Sequence, residues 1–454
     1  MNRIGAGAAA LACFFLCGGA APAPARATPE AWIKAFNAQD KAALKALGDE
    51  NDDYDRDMFE ETGGLDFVKI DKDNGKDIEA LARERVTAGM RRLLLARDGK
   101  NPSRFSSFRL RGEPMESEAR ALAALHAFAD RLARKDEFSG VLLVRRDGRD
   151  LLARTYGYAD AGEYVPNTMG TKFFMASQGK MLTAVSIFQL IEKGRVSLND
   201  TVGKFLPAYP NRDIATKVTV RMLLSHTGGT GETGLLDPQD AANRASVHSV
   251  ADIIALNGKR GPAFTPGTKF DYSNYGYVLL GAIVEKASGM DYYAYVQKNI
   301  LDPAGMTHTG FPLREDMEGI AVPMTRRNTK LVSAMDQWPW RGSPAGGGVS
   351  TAEDEAKFVA ALNGGKLISR ASLDFATHAP GGFGMKPGSG FGFGFIESGV
   401  NGLKFWGHSG GAEGDSTDLG YTRQTRVTFV CLANRDPEVC DRLGANLHYH
   451  WPRK

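Results

Sequence analysis

From residue 113 onward, strand-like patterns gather towards the two ends of the sequence and helical patterns fill the stretch between them. That order limits the folds open to the chain. A helix reads from Glu118 to Lys135, with Leu122, Leu125, Phe128, Ala129 and Leu132 on one face. Gly140 to Val144, a turn at Asp147-Gly148 and Asp150 to Tyr158 follow as a hairpin. An amphipathic helix is predicted over Met181 to Glu192, and helical character continues to Leu206. Strand patterns return near the end, at Lys404 to Trp406 and Arg426 to Leu432, before a closing helix from Pro437 to His448. A helix at each end packed on one antiparallel sheet, with a helical block inserted between, is an α/β arrangement.

The first 112 residues read differently. Arg3, an uncharged apolar stretch from Ile4 to Ala21, and small residues at Ala25 and Ala27 form a secretory signal peptide over residues 1–27, with cleavage after Ala27. A periplasmic or secreted protein with no stable membrane anchor is therefore expected. Residues 28–112 read as a small α+β domain. Trp32, Ile33, Phe36, Ala43, Leu44 and Leu47 fall at helical spacing, and the acidic run from Asp49 to Asp57 reads as a solvated face. Leu65 to Ile70 reads as a strand, Asp73-Asn74-Gly75 as a turn, and Ile78 to Val86, Met90 to Ala96 and Phe105 to Arg111 as strands or short helices. Gly75 comes one position too early for a calcium loop starting at Asp71. Glu113-Pro114-Met115 is the linker to one large domain, residues 113–454. Cys13 and Cys17 fall in the signal. Cys431 and Cys440 remain, either as a disulfide or as two separate buried thiols.

The 56 basic and 53 acidic residues leave a net charge of +3 with no basic block, which argues against nucleic acid as a partner. No phosphate-cradling glycine loop is present, so no nucleotide or other cofactor is expected. His226 and His308 lack a metal-ligand spacing, so packing or turn roles are expected for them and no metal site. Ser177 and Lys180, three apart at a helix start, share one face. A serine hydroxyl needs a base, and a lysine can serve once burial lowers its pKa. Tyr272-Ser273-Asn274 supplies a phenol able to relay protons between cations and an amide able to grip an ester or amide. Phe405-Trp406-Gly407-His408-Ser409-Gly410-Gly411 follows at a strand edge, where glycines let substrate lie against backbone. Trp338 and Trp340 either line the cleft or pack within their own loop. Glycines concentrate at residues 228–234, 346–348, 381–394 and 407–414, around the expected cleft.

These motifs, with Leu223-Leu224-Ser225-His226-Thr227-Gly228-Gly229, Tyr277-Val278-Leu279-Leu280-Gly281 and Pro344 to Thr351, resemble the serine β-lactamase and D-alanyl-D-alanine peptidase superfamily. The likeness is to its class C-like branch, which includes esterases and D-aminopeptidases. It runs from about residue 117 to the end and implies a β-lactamase-like fold, an antiparallel sheet flanked by helices plus an all-helical subdomain. It also implies a secreted serine hydrolase acting through an acyl-serine on a small ester, amide or peptidoglycan-like substrate. Ser177 would be the nucleophile, Lys180 the base sharing protons with Tyr272, and Asn274 a substrate holder. His408, Ser409 and Gly410 stand where the family commonly has Lys-Thr-Gly or Lys-Ser-Gly, and the N–H groups of Ser177 and Gly411 would form the oxyanion hole. Histidine at 408 weakens recognition of a substrate carboxylate, because it is mostly neutral at pH 7. Efficient β-lactam hydrolysis is thereby discounted. The alternative is a penicillin-recognising binding or signalling protein with little or no turnover. The layout of residues 28–112 resembles the compact domain found ahead of some secreted serine hydrolases.

Gly407-His408-Ser409-Gly410-Gly411 also spells the G-x-S-x-G of an α/β-hydrolase elbow. That motif needs a helix after it and room for more sheet, and neither is expected here.

Overall fold

The structure is a computed structural model that describes residues 26–232, 247–378 and 389–453. The signal segment lies outside the described residues apart from Arg26 and Ala27, as do glycine-rich residues 233–234 and 381–388. No helix among the described residues is long and apolar enough to cross a membrane.

Three helices, α1 (Pro29–Asn37), α2 (Lys41–Ala46) and α3 (Asp52–Thr62), precede a four-stranded antiparallel meander. Its strands are β1 (Leu65–Asp73), β2 (Asp77–Glu84), β3 (Met90–Arg97) and β4 (Phe105–Gly112). Alternate residues of β2 and β3 point into a separate core built on Trp32, Phe36 and Leu93. The acidic run is largely the expected solvated face, with Glu50, Asp52 and Asp53 exposed around the start of α3, but Asp55 is buried and so is Asp49, which accepts a 2.8 Å hydrogen bond from Trp32 Nε1.

The larger unit is a seven-stranded antiparallel sheet. Its early strands are β5 (Gly140–Arg146) and β6 (Arg149–Tyr156). Its late strands are β7 (Ser389–Phe391), β8 (Ile396–Val400), β9 (Leu403–Ala412), β10 (Asp415–Thr422) and β11 (Val427–Ala433). The order is β7-β8-β9-β10-β11-β5-β6, so the two ends of the domain close one sheet. β5 and β11 are apolar at nearly every position because both faces are covered. Val141 and Leu143 face the large helical core, while Leu142 and Val144 face α4 (Glu118–Arg134) and the closing helix α6 (Val439–His450). On that second face Cys431 and Cys440 form a disulfide joining β11 to α6.

Between the two halves of the sheet sits a helical block around α5 (Gly179–Glu192). The expected amphipathic helix is instead buried all round: residues 179–190 are enclosed by the sheet on one side and neighbouring helices on the other. Its polar side chains are satisfied inside. Thr183 donates to Pro344 O at 2.6 Å, and Gln189 Nε2 donates to the carbonyls of Asn299 and Leu367. Helical character does not run unbroken to Leu206, because the chain turns at Gly194 (φ +70°). The G-x-S-x-G reading fails on geometry. Residues 407–411 lie inside strand β9, and β10 follows directly after a tight turn where the elbow requires a helix.

Candidate active site

Ser177 sits in a short 3-10 turn, Ala176–Gln178, at the start of α5. Ala176 holds φ +39°, an unusual conformation for a residue with a side chain. Two glycines make room for this turn. A Cβ on Gly346 (φ +141°) would meet Ala176 O at 2.2 Å, and one on Gly410 of β9 would meet Ser177 N at 2.7 Å. The turn is thus pressed between the 343–346 loop and the sheet edge.

Lys180 lies one helical turn on and is fully enclosed. Its Nζ is 3.1 Å from Ser177 Oγ, 2.7 Å from Asn274 Oδ1 and 2.6 Å from Ala345 O. Burial pulls its pKa down to about 7, opposed by the negative charge of Glu232. The neutral amine is therefore accessible near neutrality, and it faces the serine hydroxyl.

Tyr272 and Asn274 flank Ser273, which caps the helix Asn274–Ser288. Lys180 Nζ lies 4.8 Å from the centre of the Tyr272 ring. That ring also stacks on His226 at 4.3 Å. Burial pushes the phenol well above its usual range, only partly offset by a hydrogen bond with Ser177. The expected placement between cations is not found. His226 and His408 are both held neutral by burial, His408 at about 3. Lys180 is thus the group able to take a proton near neutrality, and the Tyr272 phenol stays protonated.

His226 is a buried, packed histidine, one of the two roles expected for it. Its Nδ1 accepts a 2.9 Å hydrogen bond from Ser273 N, which fixes the Tyr272-Ser273-Asn274 segment. His308 is remote from the cleft and packs its backbone N–H on Asp354. Two further groups at Lys180 and Asn274 were not among the expected site residues. Glu232 accepts from Asn274 Nδ2 at 2.7 Å, which turns Asn274 Oδ1 towards Lys180. The Ala345 carbonyl reaches Lys180 from a turn closed by reciprocal Ser343 and Gly346 hydrogen bonds.

A cleft of about 220 Å³ opens over Ser177, and Tyr272, Asn274, Gly411 and Arg341 line it. His408, Ser409 and Gly410 do not line it among the described residues. His408 lies beneath the strand, with Nδ1 against Ser409 O at 2.5 Å and its ring edge-on to Phe391. Strand alternation puts the Ser409 side chain on the opposite face. Trp338 both lines the cleft and stacks on Phe174 at 3.8 Å, so its two expected roles coincide, while Trp340 packs on His248.

The family model described as Beta-lactamase matches residues 125–449. The chain is 30% identical over 336 residues to penicillin-binding protein 4* of Bacillus subtilis (strain 168), covering 69% of this chain and 72% of that protein. It is 33% identical over 264 residues to the putative penicillin-binding protein PbpX of the same strain, covering 56% of this chain and 63% of that protein, just under two thirds of its length. The D-amino acid amidase from Ochrobactrum anthropi SV3 shares the fold, with a TM-score of 0.62 at 21% identity, covering 72% of this chain and 97% of that one. The matched residues contain the whole Ser177–Lys180 cleft, and the chain belongs to the beta-lactamase family.

Proposed function

We propose that this protein is a hydrolase that cleaves a small ester or amide through an acyl-enzyme on Ser177. The observation that carries this reading is the enclosed Lys180 amine 3.1 Å from Ser177 Oγ, with a pKa near 7 and an open cleft above. Neutral Lys180 takes the Oγ proton as Oγ bonds to the substrate carbonyl carbon. The resulting oxyanion is received by the N–H groups of Ser177 and Gly411, a reading supported by the presence of both residues in the cleft lining. A donor of this kind contributes roughly 3–4 kcal/mol. The tetrahedral intermediate collapses, the leaving group departs with a proton passed from Lys180 through Tyr272, and water cleaves the ester on Ser177. Asn274 holds the acyl group while its Oδ1 keeps Lys180 in place.

The disulfide at Cys431–Cys440 and the signal-like residues 1–27 support export to an oxidising compartment. One observation favours a second reading, a protein acylated by penicillins with little turnover: its Bacillus relatives are named as penicillin-binding proteins. A burst assay with a chromogenic ester and a chromogenic cephalosporin separates the two. Steady turnover of the ester is expected. A single stoichiometric burst with the cephalosporin and no ester turnover would establish the second reading instead.

A further inference from the structure

Among the described residues, the cleft lining contains one permanent cation, Arg341, and no carboxylate. Its other titratable side chains are His248, Tyr272 and Tyr293. The residue standing where the family commonly has a lysine, His408, is buried beneath the strand and neutral, so it offers no charge to a substrate. Arg341 is held in place. Its Nε donates to Phe311 O at 2.7 Å, and its guanidinium lies 3.7 Å over the ring of Tyr293, another cleft residue. Those two contacts fix the plane of the fork. The two terminal nitrogens have no acceptor and no acidic partner among the described residues.

Arg341 is also tied to the catalytic centre. It bridges to Leu313 and leads directly into the 343–346 turn, whose Ala345 carbonyl bonds Lys180 and whose Gly346 packs on the Ser177 turn. Glu232 lies behind Asn274. An oriented, half-buried guanidinium fork with free donors fits a carboxylate in bidentate fashion, which a lysine at 408 would not reproduce.

We propose that the substrate is a carboxylate-bearing ester or amide, and that Arg341 receives its carboxylate on the wall formed by residues 338–347. This rests on the acyl-serine reading above. It moves anion recognition from strand β9 to the facing loop, so the carboxylate is presented differently from that of a substrate read by a strand-edge lysine.

The test uses matched chromogenic esters, one bearing a free carboxylate and one its methyl ester, with the full chain and its Arg341→Gln and Arg341→Lys variants. The readout is the ratio of kcat/KM for the pair, which cancels any loss of folded protein. The wild type is expected to prefer the carboxylate roughly 10- to 100-fold, the size of a charge-assisted contact. Arg341→Gln should bring the ratio close to one, mainly through KM, and Arg341→Lys should leave it between. A wild-type ratio at or below one, or a preference that survives Arg341→Gln, overturns the proposal. The same pair is titrated against Ser177→Ala with and without Arg341→Gln. Carboxylate-selective binding lost with Arg341, but without wild-type turnover, would sink the hydrolase reading and keep the subsite. Turnover without selectivity would do the reverse.

Discussion

Lys180 is enclosed on every side, yet its amine touches Ser177, Asn274 and the Ala345 carbonyl, and no carboxylate among the described residues bonds it directly. Desolvation therefore decides its protonation, and Glu232, one residue removed through Asn274, opposes it. The sign of the pH dependence follows. The ammonium that dominates below about 7 cannot take the Ser177 proton, so kcat/KM should rise with pH through that value. Glu232→Gln removes the charge that favours the ammonium, and the acidic limb should move to lower pH. A limb that stays put or moves up would remove Glu232 from this role. Ser177, Lys180, Tyr272 and Asn274 were legible because each sits in a short motif of fixed spacing. Glu232 and Arg341 were not, because they reach Asn274 and the cleft, respectively, from loops whose approach leaves no periodic trace in the chain.

At the scale of elements, strand β9 forms one wall of the cleft through Gly411 and Ala412 and was only partly legible. The pattern suggested Lys404 to Trp406, whereas the strand runs Leu403–Ala412. Gly407, Gly410 and Gly411 weaken its strand signal, and close approach explains at least one of them. Gly410 has no room for a Cβ beside Ser177 N. Gly410→Ala should displace Ser177 from the strand and, if Ser177 is acylated as proposed, lower kcat about 100-fold. Its urea midpoint should fall far less than that of a core truncation. Full activity in this variant would show that the turn is not seated as described. Helix α5 was legible in position and misread in environment. Thr183, Ser186 and Gln189 resemble a solvent face, but Thr183 and Gln189 find buried partners far along the chain, which local spacing does not encode, and the Ser186 hydroxyl donates back to Leu182 O within the helix.

At the scale of the whole molecule, the sheet closed by both ends of the large domain was legible from the order of elements. The joint to the N-terminal unit was not. Arg91 of β3 is buried between Glu61 and Glu84, Asn446 Nδ2 of α6 donates to Glu61 at 2.5 Å, and His450 Nε2 lies 3.3 Å from Glu84. Arg91→Met would leave two carboxylates in the joint without their cation, an expected loss of about 3–5 kcal/mol by urea denaturation. Despite its burial, Glu84 is held down to about 2, chiefly by the charge of Arg91. The stability it contributes is complete above its ordinary value of 4.5 and is lost as pH falls towards 2. Acid titration of tryptophan fluorescence should show that decline in the wild type and a flatter one in Glu84→Gln. Equal slopes would place the acid-sensitive joint elsewhere. The central claim is that this fold exists to arm one serine, and intact-protein mass spectrometry after fluorophosphonate treatment tests it most directly. The account predicts a single adduct, mapped to Ser177, forming faster as pH rises through about 7 and absent from Ser177→Ala. An adduct on Ser409, or labelling undiminished in Ser177→Ala, would contradict it.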